Sequence, residues 1–213
     1  MGNSKLFTPV TFGPLTLRNR TIRSAAFESM CPGNAPSDML LDYHRSVAAG
    51  GIGMTTVAYA AVTRSGLSFD RQLWMRPEII PGLRRLTDAI HAEGAAAGIQ
   101  LGHCGNMSHK SICGCTPVGA SGGFNLYSPT FVRGLRADEL PEMARAYGRS
   151  VNLAREAGFD AVEIHAGHGY LISQFLSPST NHRKDEFGGS LQNRMRFMDM
   201  VMEEVMKAAG SDM

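Results

Sequence analysis

The sequence has little of several features that would place it in a specialised class of protein. Its 213 residues contain only four cysteines, Cys31, Cys104, Cys113 and Cys115, and their irregular spacing excludes a disulfide framework. Positive and negative charges nearly balance at a formal net charge of +2. Without a basic stripe, no nucleic-acid partner is expected. No apolar run reaches the length that crosses a bilayer, so no membrane partner is expected either.

The beginning of the chain also lacks a recognisable targeting signal. The stretch MGNSKL has no apolar segment of the kind found in signal peptides. Leu6 stands where the myristoylation pattern requires Ser or Thr. Hydrophobic residues make up 43% of the chain and charged residues 19%, which is ordinary for a globular protein. We therefore expect a reduced, cytoplasmic enzyme.

Apolar runs and glycine stops alternate regularly along the chain. Residues 6–19, with Pro9, Gly13 and Pro14 between short apolar runs, predict a small hairpin. After it, four buried strands are expected near residues 21–26, 52–58, 96–101 and 159–165. Each strand is followed by a helix, and the helices are expected near residues 38–49, 77–94, 138–157 and 190–209.

This alternation of strand and helix predicts an α/β fold with a parallel sheet and covering helices. Right-handed crossovers make consecutive strands neighbours. Four such units equal half of an eight-fold barrel, so the predicted class is the (β/α)8 TIM barrel family, here with about four β/α units and an N-terminal hairpin. A doubly wound open sheet is the alternative. No G-x-G-x-x-G follows the first strand, which disfavours it.

The most informative stretch runs from residue 159 to 196 and reads FDAVEIHAGHGYLISQFLSPSTNHRKDEFGGSLQNRMR. Its first six residues form an apolar run after Ala157 and Gly158, which predicts a buried strand. His165, His168 and Tyr170 follow where that strand should end. Parallel α/β folds place their chemistry at the carboxyl ends of strands, so these side chains are candidate site residues.

Four pieces of the sequence resemble the old yellow enzyme family. They are residues 6–9 (LFTP), 17–20 (LRNR), 98–103 (GIQLGH) and the whole of 163–196. The family consists of FMN-dependent ene-reductases on a (β/α)8 barrel. The chain looks most like its branch of NADPH dehydrogenases and 2,4-dienoyl-CoA-reductase-like enzymes. The resemblance implies that residues 1–213 are the N-terminal half of an FMN-binding TIM barrel, with NADH or NADPH as the reductant.

The resemblance also assigns roles to individual side chains. His165 and His168 correspond to the pair that grips the carbonyl or nitro oxygen of the substrate, where two N–H donors stabilise a developing enolate. Tyr170 corresponds to the proton donor to the α-carbon of the substrate. Gln100 corresponds to the glutamine that hydrogen-bonds the flavin pyrimidine ring, since an amide offers both a donor and an acceptor. An enone-type small molecule is the implied substrate.

Further cofactor contacts are implied at the ends of the first two strands. Ser24, Ala25, Ala26 and Phe27 occupy the segment that backs the flavin in this family, and His165 is also expected to contact it. Many members have Cys or Thr at the position of Phe27, and a phenyl ring cannot supply their hydrogen bond to the flavin. Tyr59 occupies a flavin-facing position that is often small.

Two alternative sites can be formulated from the residues alone. His103, His165 and His168 could bind a metal, as in barrel hydrolases. The only nearby carboxylate is Glu163, which we expect to point away from the face of its neighbours. No metal is therefore expected. Cys113-Gly114-Cys115 fits neither the thioredoxin motif nor the cluster motif of dienoyl-CoA reductases, so it is interpreted as a loop feature.

The resemblance places the flavin phosphate site in loops after later strands, beyond Met213. A second class of function therefore stays open, in which the chain is a catalytically silent, truncated half-barrel that self-associates. The expected partners are accordingly a homo-oligomer or a missing C-terminal half-barrel.

Overall fold

The chain begins with a small hairpin and continues as alternating strands and helices. The computed structural model describes residues 4–211 and 213, so the first three residues of the targeting prediction lie outside the described part. In chain order the elements are β1 (Val10–Phe12), β2 (Leu15–Leu17), β3 (Ile22–Arg23), α1 (Asp38–Ala49), β4 (Met54–Ala61), α2 (Ile80–Ala92), β5 (Ala96–Gly102), α3 (Lys110–Cys113), β6 (Val118–Gly119), β7 (Gly123–Asn125), β8 (Thr130–Gly134), α4 (Leu140–Glu156), β9 (Ala161–Ile164), α5 (Leu171–Leu176) and α6 (Leu191–Ala209).

A four-stranded parallel sheet in the order β3-β4-β5-β9 forms the centre of the fold. The prediction of four consecutive parallel strands is therefore confirmed, as is the antiparallel hairpin of β1 and β2. The first parallel strand is shorter than expected and contains only Ile22 and Arg23. From residue 24 to residue 30 the backbone has no regular structure. Among the described residues, no helix combines the length and apolar character that crossing a membrane requires.

The helices begin and end near the predicted residues because local side chains cap them. The Ser37 hydroxyl accepts a hydrogen bond from the Leu40 N–H at the start of α1, at 3.2 Å. Ser190 does the same for the Asn193 N–H at the start of α6, also at 3.2 Å. Gly158 follows α4 with φ +86°, a left-handed conformation that ends the helix at little steric cost.

The two faces of β5 have different roles. Ile99 and Leu101 are fully buried and belong to the main hydrophobic core, together with residues of α2, α4 and α6. Gly98, Gln100 and Gly102 alternate with them and therefore face the opposite side of the sheet. One face of the strand is thus used for packing, while small and polar residues on the other leave room for chemistry.

The segment from residue 103 to 135 contains more structure than its composition suggests. Its many Gly, Ser and Pro residues are typical of a long loop, but it contains α3 and a three-stranded sheet in the order β6-β8-β7. Glycine permits the close approach of its strands, since a Cβ at Gly134 would lie 3.0 Å from the backbone nitrogen of Gly122. The abundance of Gly, Ser and Pro hid these strands because those residues usually indicate turns.

A buried charged network joins the end of β3 to β4. The Glu28 carboxylate lies 2.9 Å from Arg23 Nη1 and 3.0 Å from His44 Nε2, and its side chain is only 4% exposed. It also accepts a hydrogen bond from the Ala58 N–H at 3.2 Å. The register between β4 and β5 shifts between Val57 and Ala60, so Ala58 lies in a β-bulge whose N–H needs a partner outside the ladder. Glu28 supplies that partner.

Replacing Glu28 by alanine should strongly destabilise the protein. The change removes the acceptor of the Ala58 N–H and the carboxylate that neutralises the Arg23 guanidinium in a buried setting. Loss of one partner of a buried pair typically costs roughly 3–5 kcal/mol. Asp42→Ala is the matched control, because the Asp42–Arg45 pair is exposed and should be worth less than about 1 kcal/mol. Urea unfolding measures both, and equal losses would show that the Glu28 network contributes no more than a surface pair.

Candidate active site

Three strands bring side chains to one face at the carboxyl end of the sheet. Tyr59 lies near the end of β4, Gly102 ends β5, and His165 follows β9. A Cβ built on Gly102 would lie 3.1 Å from His165 Cβ and 3.1 Å from Tyr59 Cδ2. Because Gly102 has no side chain, the Tyr59 and His165 rings meet above it, with centroids 5.6 Å apart.

The turn after β9 folds back and adds two more rings to this cluster. His168 and Gly169 have left-handed backbone conformations, with φ of +55° and +69°. Such a φ is uncommon for a residue with a side chain and is concentrated at functional sites. The turn brings His168 Nδ1 to 3.3 Å from His165 Nε2. The Tyr170 ring lies 4.8 Å from the His165 ring and 5.3 Å from the Tyr59 ring, measured between centroids.

The environment of His165 keeps its imidazole neutral at neutral pH. Burial lowers the pKa of His165 below its ordinary value, His168 lowers it further, and Glu163 partly opposes both effects. The Gly167 N–H donates a hydrogen bond to His165 Nδ1 at 3.3 Å, so the ring proton resides on Nε2. His165 therefore presents an N–H donor towards the space it shares with His168.

Gln100 lies on the same face as His165 and is paired with a carboxylate. In the β5–β9 register Gln100 is opposite Glu163, and its Nε2 donates a hydrogen bond to Glu163 Oε1 at 2.5 Å. The expectation that Glu163 points away is therefore wrong. Residues two apart on a strand share a face, so Glu163 has to lie on the side of His165.

The segment Ser24–Phe27 forms an open rim beyond the end of β3. Ser24, Ala26 and Phe27 are exposed and Ala25 is half-buried. The Phe27 ring stacks on Phe69, with centroids 4.6 Å apart. Among the described residues, this segment makes no hydrogen bond or ring contact with the four-ring cluster of Tyr59, His165, His168 and Tyr170. Its proposed contact with the flavin remains a prediction.

Among the described residues, the His103 side chain makes no hydrogen bond or ring contact with the four-ring cluster. Its ring is fully buried, with Nδ1 accepting from the Gly105 N–H at 2.9 Å and Nε2 3.1 Å from the Ser65 hydroxyl. Since Nδ1 accepts, Nε2 carries the proton and donates to Ser65, so His103 cannot act as a base towards that serine. His103 is thus a packed structural residue. In residues 4–211 and 213, no group of three His, Cys, Asp or Glu side chains could hold a metal ion.

A cavity that the sequence did not reveal opens beside His168. Its volume is about 540 Å³, within the range of small-molecule sites. The hairpin of β7 and β8 covers one side of it, and the turn after β9 lines the other. Side chains from the hairpin and the loop before it contribute to the wall, namely Met107, Phe124, Asn125, Leu126, Tyr127 and Val132. The apolar residues around the LYSP turn were the signal for this hairpin.

Comparison with known proteins places the chain in a flavin-dependent class of oxidoreductases. Residues 5–213 match the NADH:flavin oxidoreductase / NADH oxidase family. The chain therefore belongs to that family, and the resemblance to the old yellow enzymes is confirmed. It is 43% identical to the 4,4'-dithiodibutanoate disulfide reductase of Rhodococcus erythropolis, over 97% of this chain and 51% of that protein. It is 37% identical to the NADPH dehydrogenase of Bacillus subtilis, over 94% of this chain and 60% of that protein.

The fold of the chain also matches solved structures of old yellow enzyme relatives. The old yellow enzyme homologue of Zymomonas mobilis matches with a TM-score of 0.90 and 29% identity, over 98% of this chain and 62% of that chain. Morphinone reductase in complex with tetrahydroNAD matches with a TM-score of 0.90 and 29% identity, over 99% of this chain and 62% of that chain. The chain spans about half to three fifths of the length of the curated relatives named above.

The burial of His103 should make the protein sensitive to acid. Burial lowers the pKa of His103 from 6.5 to about 3, so the unfolded chain binds a proton that the folded chain excludes. The free energy of unfolding should therefore be highest above pH 6.5. This one group should lower it by up to about 1.4 kcal/mol per pH unit as the pH falls from 6.5 towards 3.

Urea unfolding between pH 7 and pH 4 tests this expectation. His103→Gln should lower stability at neutral pH but flatten the decline towards acid, because the group that titrates on unfolding is gone. His182→Gln is the control, since His182 is exposed. A His103→Gln variant whose stability declines as steeply as that of the parent would contradict the assignment.

Proposed function

We propose that the protein containing this chain is an FMN-dependent NAD(P)H oxidoreductase that reduces the activated C=C bond of an α,β-unsaturated carbonyl or similar compound. The observation that carries the proposal is the pair of imidazole nitrogens of His165 and His168, 3.3 Å apart beside the Tyr170 ring. Family membership supports the cofactor and the reductant. The NADPH dehydrogenase and morphinone reductase relatives support the reaction class.

The residues at the sheet edge fit part of the proposed cofactor. Gln100 offers an amide on the open face, and Ser24–Phe27 offer an accessible rim at the end of β3. These residues would hold the flavin ring system, with Tyr59 and His165 beside it. FMN held there would supply the hydride-transfer chemistry that links the nicotinamide to the alkene. We assign its phosphate anchor to loops that follow later strands of the barrel, as the family pattern implies.

His165 and His168 are proposed to bind the oxygen of the substrate. An oxygen atom bound against both rings can accept a hydrogen bond from His165 Nε2 and from His168 Nδ1 once these nitrogens release their 3.3 Å contact and both carry protons. The neutral His165 already has its proton on the correct nitrogen. Two such donors would stabilise the negative charge that develops on this oxygen when a hydride reaches the β-carbon. The strained turn at His168 holds the second donor in position.

Tyr170 is proposed to give the proton that completes the reduction. Its ring packs against His165, so its hydroxyl is carried by the same turn that would hold the substrate oxygen. A phenol can serve as a general acid when its hydroxyl lies within hydrogen-bond reach of the α-carbon. The cavity beside His168 would accommodate the apolar remainder of the substrate.

In the complete barrel, Tyr170→Phe should slow alkene reduction and leave flavin reduction by the nicotinamide unchanged. Only the second half-reaction needs the proton, and stopped-flow absorbance separates the two. Tyr147→Phe is the matched control. The Tyr147 hydroxyl is buried, and within the described residues it has no hydrogen-bond partner. Equal slowing of both half-reactions by Tyr170→Phe would contradict its role.

His165→Ala should weaken the binding of carbonyl substrates and lower the rate of alkene reduction roughly 10²-fold, the usual effect of losing one oxyanion donor. Titration of the oxidised protein with an enone measures binding, and single-turnover kinetics measures the rate. His91→Ala, which removes an exposed imidazole on α2 that lies outside the proposed substrate cavity, should affect the rate much less. A His165→Ala variant with the parent's affinity and rate would refute the oxygen-binding role.

We further propose that residues 1–213 form the N-terminal half of a (β/α)8 barrel. The supporting observation is that side chains on the edge strands β3 and β9 are more exposed than those on the interior strand β5. Ile22 of β3 is 45% exposed, and Ala161, Val162 and Ile164 of β9 are half-buried, whereas Ile99 and Leu101 of the interior strand β5 are fully buried. Both edges carry backbone groups that another strand could pair with.

The same edges favour a second candidate function, in which the chain is a catalytically silent half-barrel that is stable only when its strand edges pair with another chain. The chain of residues 1–213 alone should self-associate or aggregate and bind FMN weakly, because open strand edges attract partners. Size-exclusion chromatography with absorbance in the flavin band distinguishes the silent half-barrel from the flavin-dependent enzyme. A monomeric peak with stoichiometric FMN would overturn the pairing proposal and the weak binding together.

A further inference from the structure

Two cysteine side chains face each other at the end of α3. Cys113 is the last residue of the helix, and Gly114 takes a left-handed conformation with φ +76°. Its N–H donates to the Lys110 carbonyl at 2.9 Å, which fixes the turn. The turn returns Cys115 to the side of Cys113, so that the two Sγ atoms lie 3.7 Å apart. The Cys113 thiol also donates to the Cys115 carbonyl, at 3.2 Å.

The two thiols differ in access. Cys113 is buried and Cys115 is exposed. Cys115 opens on a cavity of about 680 Å³ between β8 and α4, whose wall includes Ser65, Arg133 and Met143. A small molecule can therefore reach the Cys115 sulfur, while the buried Cys113 sulfur lies directly beside it. One accessible thiol with a second thiol directly behind it is the arrangement that thiol–disulfide exchange needs.

The remaining cysteines are unsuited to the same chemistry. Cys31 and Cys104 are both buried, and burial raises the pKa of each to about 12. Almost no thiolate exists at either position near neutral pH, and the thiolate is the reactive form. Any reaction with an added disulfide in the folded protein should therefore begin at Cys115.

Charged neighbours also influence Cys115. Burial and the contact with Cys113 raise its pKa, whereas the guanidinium groups of Arg133 and Arg64 oppose that rise. The Arg64 guanidinium lies against the turn, with Cζ 3.2 Å from where a Cβ on Gly114 would be. The reaction of Cys115 should accordingly be slow at neutral pH and faster in mild alkali.

We propose that Cys113 and Cys115 are a dithiol site that small-molecule disulfides oxidise to an intramolecular disulfide. In the first step the Cys115 thiolate attacks one sulfur of the disulfide RSSR, forms a mixed disulfide and releases RS⁻. In the second step the Cys113 thiolate attacks Cys115 Sγ, forms the Cys113–Cys115 bond and releases the second RS⁻. The two thiol protons end on the two RSH products, so the small disulfide is reduced by two electrons and the cysteine pair is oxidised by two.

Little movement is needed for the second step. The sulfur atoms must approach from 3.7 Å to the bonded distance of about 2.05 Å. The intervening Gly114 has no side chain to resist a change in the turn. The exposed position of the turn between α3 and β6 allows this adjustment without disturbing the main core.

The probe is bis(2-hydroxyethyl) disulfide, added to the folded chain at mildly alkaline pH and followed by intact-mass and peptide-mass analysis. The parent should lose the mass of two hydrogen atoms, release two molecules of 2-mercaptoethanol per chain, and yield one peptide with Cys113 linked to Cys115. Cys113→Ser should stop at the mixed disulfide on Cys115. Cys115→Ser should react at least about tenfold more slowly, since the accessible nucleophile is gone.

Cys31→Ser is the matched control and should behave as the parent does. Free thiols counted in guanidinium, where all four cysteines are accessible, verify that each variant carries the expected number. The proposal is overturned if the parent stops at a mixed disulfide, if the bond formed includes Cys31 or Cys104, or if Cys115→Ser oxidises as fast as the parent. Failure of any variant to fold is detected by circular dichroism, and in that case the peptide map of the parent alone decides.

Discussion

The parallel register of β5 with its two neighbours is the constraint on which the rest of the site depends. Pairing of β5 with β9 sets Gln100 opposite Glu163, and therefore places His165 level with the end of β5. Gly102 occupies that end, and the absence of a Cβ there lets Tyr59 and His165 approach from both sides. A shift of β5 by one residue would turn Gln100 into the main core and turn Ile99 and Leu101 towards the proposed cofactor.

A second constraint holds the first strand, which is too short to be secured by its own ladder. With only Ile22 and Arg23 paired to β4, the segment behind the proposed flavin is held by the Arg23–Glu28–His44 network. Glu28 also satisfies the N–H that the bulge leaves free at Ala58. Tyr59 follows Ala58 within the bulge, so one carboxylate positions both the rim and a ring of the cluster. Buried ion pairs contribute little net stability, and here the network specifies geometry instead.

Regular patterns predicted the regular parts of this structure. Apolar runs of strand length, serine caps and glycine stops located the four parallel strands and their helices, because these signals are local. The gathering of His165, His168 and Tyr170 followed from their spacing after one strand. The bulge at Ala58, the role of Glu28 and the short first strand could not be predicted, since each depends on contacts between residues distant in sequence. Glu163 is a different case, because residues 163 and 165 are two apart on the strand and alternation therefore predicts a shared face for their side chains.

The position of the proposed oxygen-binding pair explains why it is built on a strained turn. A straight continuation of β9 would carry residues 165 and 168 to different faces, because side chains alternate along a strand. Left-handed backbone at His168 and Gly169 reverses the chain within three residues, so both imidazoles point to one spot. The tight packing of Tyr59 and Tyr170 around His165 offsets the cost of this conformation. The aromatic cluster therefore stabilises the geometry that the proposed chemistry requires, which makes packing and function inseparable at this edge.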